Sequence, residues 1–359
     1  MGEQIAAFVY TSLASRVVFG KGRIGDVADE VERLRVTRVF LIADGQATPL
    51  ADATAGELGD RVAGRWHEVV QHVPIELAEQ ARAAATDCGA DAVVCIGGGS
   101  STGLAKAIAL THQLPILAVP TTYAGSEMTP IYGLTGERHK QTGTSPDVLP
   151  KVVVYDPELT VGLPPHVTGP SAFNALAHSV EALYAPGCNP VTSVLALEGV
   201  RAITCSLPAV MADPADVGVR SDLLDGAYLS GIALGATSAG LHHKLCHVLG
   251  GTFNLVHADA HSVVLPHAVA FNAPALPAEM DRLAAATGAR DGNAAGALWD
   301  LAAASGVPTS LEALGLDRAN LSEAAQRAEK EITTNPVPVD TDSLLAMLER
   351  AFDGARPGS

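Results

Sequence analysis

Positive charge is scarce in this sequence: 23 lysines and arginines face 39 aspartates and glutamates, a formal net charge of −16. That balance excludes a sequence-independent grip on nucleic acid or on an anionic membrane surface, both of which need clustered cations. Any anion must be held at a local, purpose-built site. The five cysteines, Cys88, Cys95, Cys188, Cys205 and Cys246, are scattered and lack CxxC spacing, which argues against a disulfide framework or a structural zinc knot. No apolar run reads as approaching the roughly 20 residues that span a bilayer. The opening MGEQIAAFVY lacks a basic flank leading into a signal-type core. The expectation is a cytoplasmic protein with no membrane or nucleic-acid partner.

What is present suits a chain with a large core. Of 359 residues 48% are hydrophobic and 17% charged, and this length predicts about two domains. Over residues 1–163, β-branched runs at 15–19, 39–42, 92–96, 115–119 and 152–155 alternate with amphipathic stretches at 26–34 and 75–88. This βαβ alternation predicts an α/β domain with a parallel sheet covered by helices. From Pro164 the strand runs fade, and alanine- and leucine-rich sequence predicts an all-helical domain over 164–359.

Two glycine-rich turns compete for a phosphate-bearing ligand. Residues 20–25 spell GxGxxG after a strand and before a helix, with Asp44 at the end of the next strand. Gly97, Gly98, Gly99 and Ser100 miss that spacing, but they place three glycines between a buried strand and a helix, where backbone N–H groups can cradle a pyrophosphate. Three glycines in a row sacrifice more backbone entropy than a plain turn requires, which favours close approach to a ligand there. Thr121, Thr122 and Tyr123 follow another strand end and can reach the same ligand. Asp44 can accept from a ribose hydroxyl and would repel a 2′-phosphate, favouring NADH while leaving NADPH possible.

Of twelve histidines, five fall between residues 241 and 261. His243 and His247 are four apart, as are Asn174 and His178, so on helices each pair shares a face. With His257 they can converge on one pocket. A carboxylate at 174 would make this a divalent-metal site; asparagine supplies no charge, so no metal is expected. If one is held, His178, His243 and His257 are its ligands. His112, His139, His166, His242 and His261 read as ordinary core or surface residues.

The loop at 97–100, the run 120–127, the segment 150–156, Asn174 to His178, His243 to His257 and Leu265 to His267 together resemble the iron-containing alcohol dehydrogenase family over most of the chain. The resemblance implies a nucleotide-binding α/β domain followed by a helical catalytic domain, as in dehydroquinate synthase-like folds, with NAD(P) and substrate between them and a homodimer as the assembly. It puts the phosphates on the triple glycine, makes the 20–25 turn structural, and sets Lys140 near the nicotinamide ribose. The family's metal ligands fall on Asn174, His178, His243 and His257, with His247 a further active-site histidine. Asn174, and Gly103 where many members carry aspartate, look like the maleylacetate-reducing branch. That branch implies NAD(P)H-dependent reduction of a small dicarboxylate's C=C bond to give 3-oxoadipate, in aromatic catabolism and without a metal. His243 is then the leading proton donor and His247 neighbours the nicotinamide, while His178, His257 and Asn174 complete the pocket. Tyr123 and Lys244 are candidates for the substrate. The alternatives are a zinc- or iron-dependent alcohol or polyol dehydrogenase, an NAD-using lyase of the dehydroquinate synthase type, and a non-catalytic NAD-binding protein.

Overall fold

The β-branched runs build the sheet of a computed structural model that describes residues 8–136 and 140–358. Strands β1 (Arg16–Phe19), β2 (Val39–Ala43), β3 (Val62–Trp66), β4 (Ala92–Gly97) and β5 (Ile116–Pro120) are followed by a hairpin of β6 (Ile131–Thr135) and β7 (Lys140–Thr144), then by β8 (Val152–Tyr155). Six of them form one parallel sheet in the order β1-β8-β5-β4-β2-β3. Strands β2, β4, β5 and β8 are buried along their whole length, which is why they read as continuous apolar runs rather than alternating ones.

Helices α1 (Val27–Arg33), α2 (Thr48–Leu58), α3 (Ile75–Asp87) and α4 (Gly99–His112) cover the two faces. Phe40, Ile42, Val93 and Cys95 pack with Ala78 and Ala81 of α3 and Leu104 and Ile108 of α4. The alternate residues Leu41, Ala43, Val94 and Ile96 pack with Val27 and Val31 of α1 and Ala51 and Leu58 of α2. The period of two along each strand thus assigns each face its helices. Because β5, β4 and β2 are neighbours, with Gly97 opposite Pro120 and Ala43 opposite Ile96, the three segments read as ligand-facing emerge side by side. Edge strand β3 and the β6–β7 hairpin went unread, because their glycine-containing sequences carry no apolar run.

Beyond β8 the chain is helical: α5 (Pro165–Ala182), α6 (Pro190–Ala212), α7 (Val217–Gly235), α8 (Leu241–Phe253), α9 (His257–Asn272), α10 (Pro277–Thr287), α11 (Ala294–Ala304), α12 (Leu321–Glu331) and α13 (Thr341–Phe352). One expectation is corrected here. Helix α6, with 23 residues and a mean hydropathy of 1.5 over its most apolar stretch, has the length and composition to cross a membrane. Within this fold it is a core helix. Asn189 and Thr192 form a capping box at its start, and Ala196, Val200, Ile203 and Leu207 recur at helical spacing, buried against α5 and α7.

Candidate active site

A cavity of about 340 Å³ lies between the sheet tips and helices α5, α8 and α9. From the sheet side Gly99, Ser100 and Thr122 line it. Gly97 sits at φ +148°, and a Cβ there would come within 2.9 Å of Asp44 Oδ2, so both conformation and space demand glycine. Helix α4 opens at Gly99 with no side chain capping its first N–H groups, the arrangement that accepts a phosphate. Thr121 N–H donates to Gly97 O at 3.0 Å, tying the β5 tip to the glycine loop. Asp44 also accepts from Ala47 N–H at 3.0 Å. By contrast, the 20–25 turn lies beside β8, where Gly20 N–H donates to Tyr155 O and Ile24 N–H to Asp156 Oδ2.

From the helical side the spacing-four pairs share faces, and Asn174, His178, His243, His247 and His257 all line this same cavity. His178 stacks on His243 at 5.1 Å between ring centroids, and His247 on His257 at 5.7 Å. Burial, reinforced by His243, holds His178 well below the ordinary histidine range, so its imidazole is neutral. Asn174 Oδ1, His178 Nδ1 and His243 Nε2 are buried without a hydrogen-bond partner. Such atoms are open hydrogen-bonding capacity, and they mark where a ligand's polar groups belong.

Two residues that wire this site were missed. Glu181 lies one turn beyond His178 on α5 and is fully buried. Its carboxylate accepts from Gly240 N–H at 3.0 Å and His242 N–H at 2.7 Å, and it pairs with His243 Nδ1. It therefore caps α8 and fixes the His243 ring through Nδ1, leaving Nε2 as the ring's buried, unpartnered nitrogen. Burial opposes ionisation of Glu181, but the charge and hydrogen bond of His243 hold it below the usual carboxylate range. A lone glutamate three residues after His178 in an alanine-rich helix was the available signal. Lys106 on α4 is the second. Its buried Nζ donates to Ser126 O at 2.6 Å, Thr129 O at 2.8 Å, Thr129 Oγ1 at 3.0 Å and Ile131 O at 2.8 Å, pinning one wall of the cavity. Burial pushes this ammonium down to about 7 against the pull of Glu127.

The expected absence of a metal is overturned. His242, Cys246 and His261 are buried, and their ligating atoms all lie within 4.8 Å of one another. His242 Nε2 is 2.8 Å from His261 Nδ1, which in turn connects through Nε2 to His257 Nε2 at 3.0 Å. Two neutral imidazoles and a thiol suit a borderline divalent ion such as zinc or ferrous iron. Burial pushes His242 down to about 3 and His261 well below its ordinary value, so both offer lone pairs. Burial also pushes the Cys246 thiol well up, so binding would release its proton. This set shares no residue with the positions 174, 178, 243 and 257: it takes His242 and Cys246 from α8 and His261, one turn beyond His257, from α9. His242 and His261, expected as ordinary core or surface residues, are two of its three members.

The remaining candidates are placed as follows. Tyr123 is fully buried outside the cavity; its hydroxyl donates to Thr160 Oγ1 and accepts from Arg220 Nη1, each at 3.0 Å. Lys244 lines an adjoining cavity instead. The Lys140 side chain and His139 lie outside the described residues. At Gly103 a Cβ would meet Val73 Cγ2 at 2.9 Å, so the small residue at this position admits Val73 to the cavity wall.

With this geometry in place, comparison with known proteins is direct. Residues 14–157 match the iron-containing alcohol dehydrogenase model, and residues 168–352 match the C-terminal model of the Fe-containing alcohol dehydrogenase family. A maleylacetate reductase of Burkholderia cepacia is 50% identical over 98% of this chain and 99% of its own length. Crystal structures of maleylacetate reductases from Agrobacterium tumefaciens and Rhizobium sp. strain MTP-10005 superpose with TM-scores of 0.93 and 0.92. Each is 44% identical over 98% of this chain, covering 100% and 99% of its own. With both halves matched and relatives aligned end to end, this NAD(P)H-dependent oxidoreductase belongs to the iron-containing alcohol dehydrogenase family.

Proposed function

We propose that this chain is a maleylacetate reductase, which transfers hydride from NAD(P)H to the C=C bond of maleylacetate to give 3-oxoadipate. The observation that carries the reading is the meeting, in one cavity, of an uncapped glycine-rich helix start and of His243 oriented by Glu181. In our reading Gly97, Gly98, Gly99 and Ser100 hold the pyrophosphate, and Asp44, Thr121 and Thr122 flank the nucleotide. The division runs between 163 and 164, and we assign a cytoplasmic homodimer.

Hydride adds to the alkene carbon β to the ketone, and the electron pair moves onto the ketone oxygen as an enolate. In its protonated form His243 keeps Nδ1–H on Glu181 and presents Nε2–H to that oxygen, so charge develops against a preorganised donor. His178, His257 and Asn174 supply the neighbouring polar atoms, and His247 neighbours the nicotinamide. Proton transfer to the α carbon then completes the saturated product. A metal held by His242, Cys246 and His261 would supply Lewis-acid charge behind this cluster.

NADH and NADPH oxidation followed by absorbance with freshly generated maleylacetate tests the reading. Turnover with 3-oxoadipate as the sole product is expected; its absence with both nucleotides overturns it. The metal triad favours one rival, a metal-dependent alcohol or polyol dehydrogenase. NAD⁺-dependent oxidation of small alcohols that follows the metal content would establish that rival.

A further inference from the structure

Recognition of a dicarboxylate poses a problem for the cavity just described. Among its described lining residues Lys106 is the one lysine or arginine, and four protein acceptors already surround its ammonium. The other titratable groups lining the cavity are histidines and Tyr132. A carboxylate brought there without a cation would be desolvated and unpaired. A second cavity, about 480 Å³, adjoins the first, sharing Thr142 and His247 with it. Its walls come from α8 and α12. On α8, Lys244, His247, Val248 and Gly251 form one stripe at helical spacing, which turns Lys244 away from His243 and toward α12. On α12, Arg327 and Lys330 are three apart and face the same space. Glu323 and Glu331 are the acidic residues of the wall, and Glu323 is taken by Arg327 at 2.7 Å. Among the described residues Lys244 and Lys330 have no ion-pair partner.

We propose that this second cavity is the entry vestibule for a dicarboxylate substrate, in which Lys244, supported by Lys330, binds one carboxylate while the reacting carbons lie past His247. The inference deepens the maleylacetate reading and rests on it for the identity of the substrate. It also explains how a chain of net charge −16 admits a dianion, because two unpaired lysines at the mouth supply local attraction.

Steady-state kinetics of Lys244→Met, Lys330→Met and the double variant, with maleylacetate and NADH each varied at a saturating level of the other, test it. Lys244→Met should raise KM for maleylacetate about tenfold or more, the scale of one lost charge-assisted contact. kcat and the KM for NADH should stay within about twofold, and Lys244→Arg should recover most of the loss. Calorimetric binding of adipate, a saturated six-carbon dicarboxylate, should weaken in parallel. Unchanged KM and adipate affinity in the double variant would overturn the vestibule, as would equal losses in kcat and NADH binding. A wild-type enzyme that binds adipate through Lys244 yet fails to reduce maleylacetate would refute the reductase reading and leave the vestibule standing.

Discussion

At the tip of β4 a glycine loop bares backbone amides between the Asp44 and Thr122 side chains of the neighbouring strand ends, whereas on α5, α8 and α9 the cavity is lined by side chains held by other side chains. The two surfaces enclose one cavity and respond to mutation in opposite ways. A backbone site is intolerant of an added carbon and indifferent to most side-chain chemistry around it. A side-chain site depends on single functional groups, and each of those depends on its partner.

The largest effect should come from the helical surface. His243→Ala removes the proposed proton donor, and a positioned acid contributes roughly 10²–10⁴ in rate. kcat should fall on that scale while NADH affinity, measured by fluorescence titration, changes little. Glu181→Gln should follow in the same direction with a smaller loss, because a neutral amide replaces the charged acceptor of His243 Nδ1 and of two backbone N–H groups. Comparable losses in kcat and NADH binding would show that the two surfaces are not separable.

The mirror experiment is Gly97→Ala. A Cβ at φ +148° would press on Asp44 Oδ2 at 2.9 Å and on Ser101, displacing the loop proposed to cradle the phosphates. NADH KM should rise about tenfold or more, with kcat at saturating cofactor largely kept. If kcat collapsed and KM held, the triple glycine would not be the cofactor's seat.

How far each surface was legible follows from the same contrast. The glycine loop, the parallel sheet and the helical second half leave periodic or compositional traces in one stretch of sequence, so they could be read locally. The pairs Asn174 with His178 and His243 with His247 were legible because helix spacing places four-apart residues on one face. Glu181 was not, because its role is defined by Gly240, His242 and His243, some sixty residues away. Lys106 was missed for the same reason: its acceptors lie in a loop and a hairpin strand with no apolar pattern. The His242, Cys246 and His261 set, which corrects the expectation of no metal, joins two helices, so no one stretch of sequence displays it. Cys246→Ser tests that correction. Replacing a soft sulfur donor by a hydroxyl should lower the metal content of the purified protein, read by mass spectrometry, by about tenfold or more. Content unchanged in this variant would exclude Cys246 as a ligand.

The smallest effect should separate the stability of the sheet half from the chemistry of the cavity. Glu30 on α1 is buried, and Arg16 of β1 holds it through Nε at 2.8 Å and Nη2 at 3.0 Å. The Arg16 hydrogen bonds outweigh burial and keep the Glu30 carboxyl below its ordinary value of 4.5. A carboxylate lowered in this way stabilises the fold above about 4.5 and loses that contribution as pH falls through its folded-state value. Arg16→Gln should therefore lower Tm at pH 7 by ~1–2 °C, the scale of a half-exposed ion pair. The gap from wild type should close on acidification, once Glu30 is protonated in both proteins. Neither residue lines either cavity, so kcat and both KM values should stay put. A pH-independent gap would assign the loss to the packing of the Arg16 stem against β8 rather than to its charge.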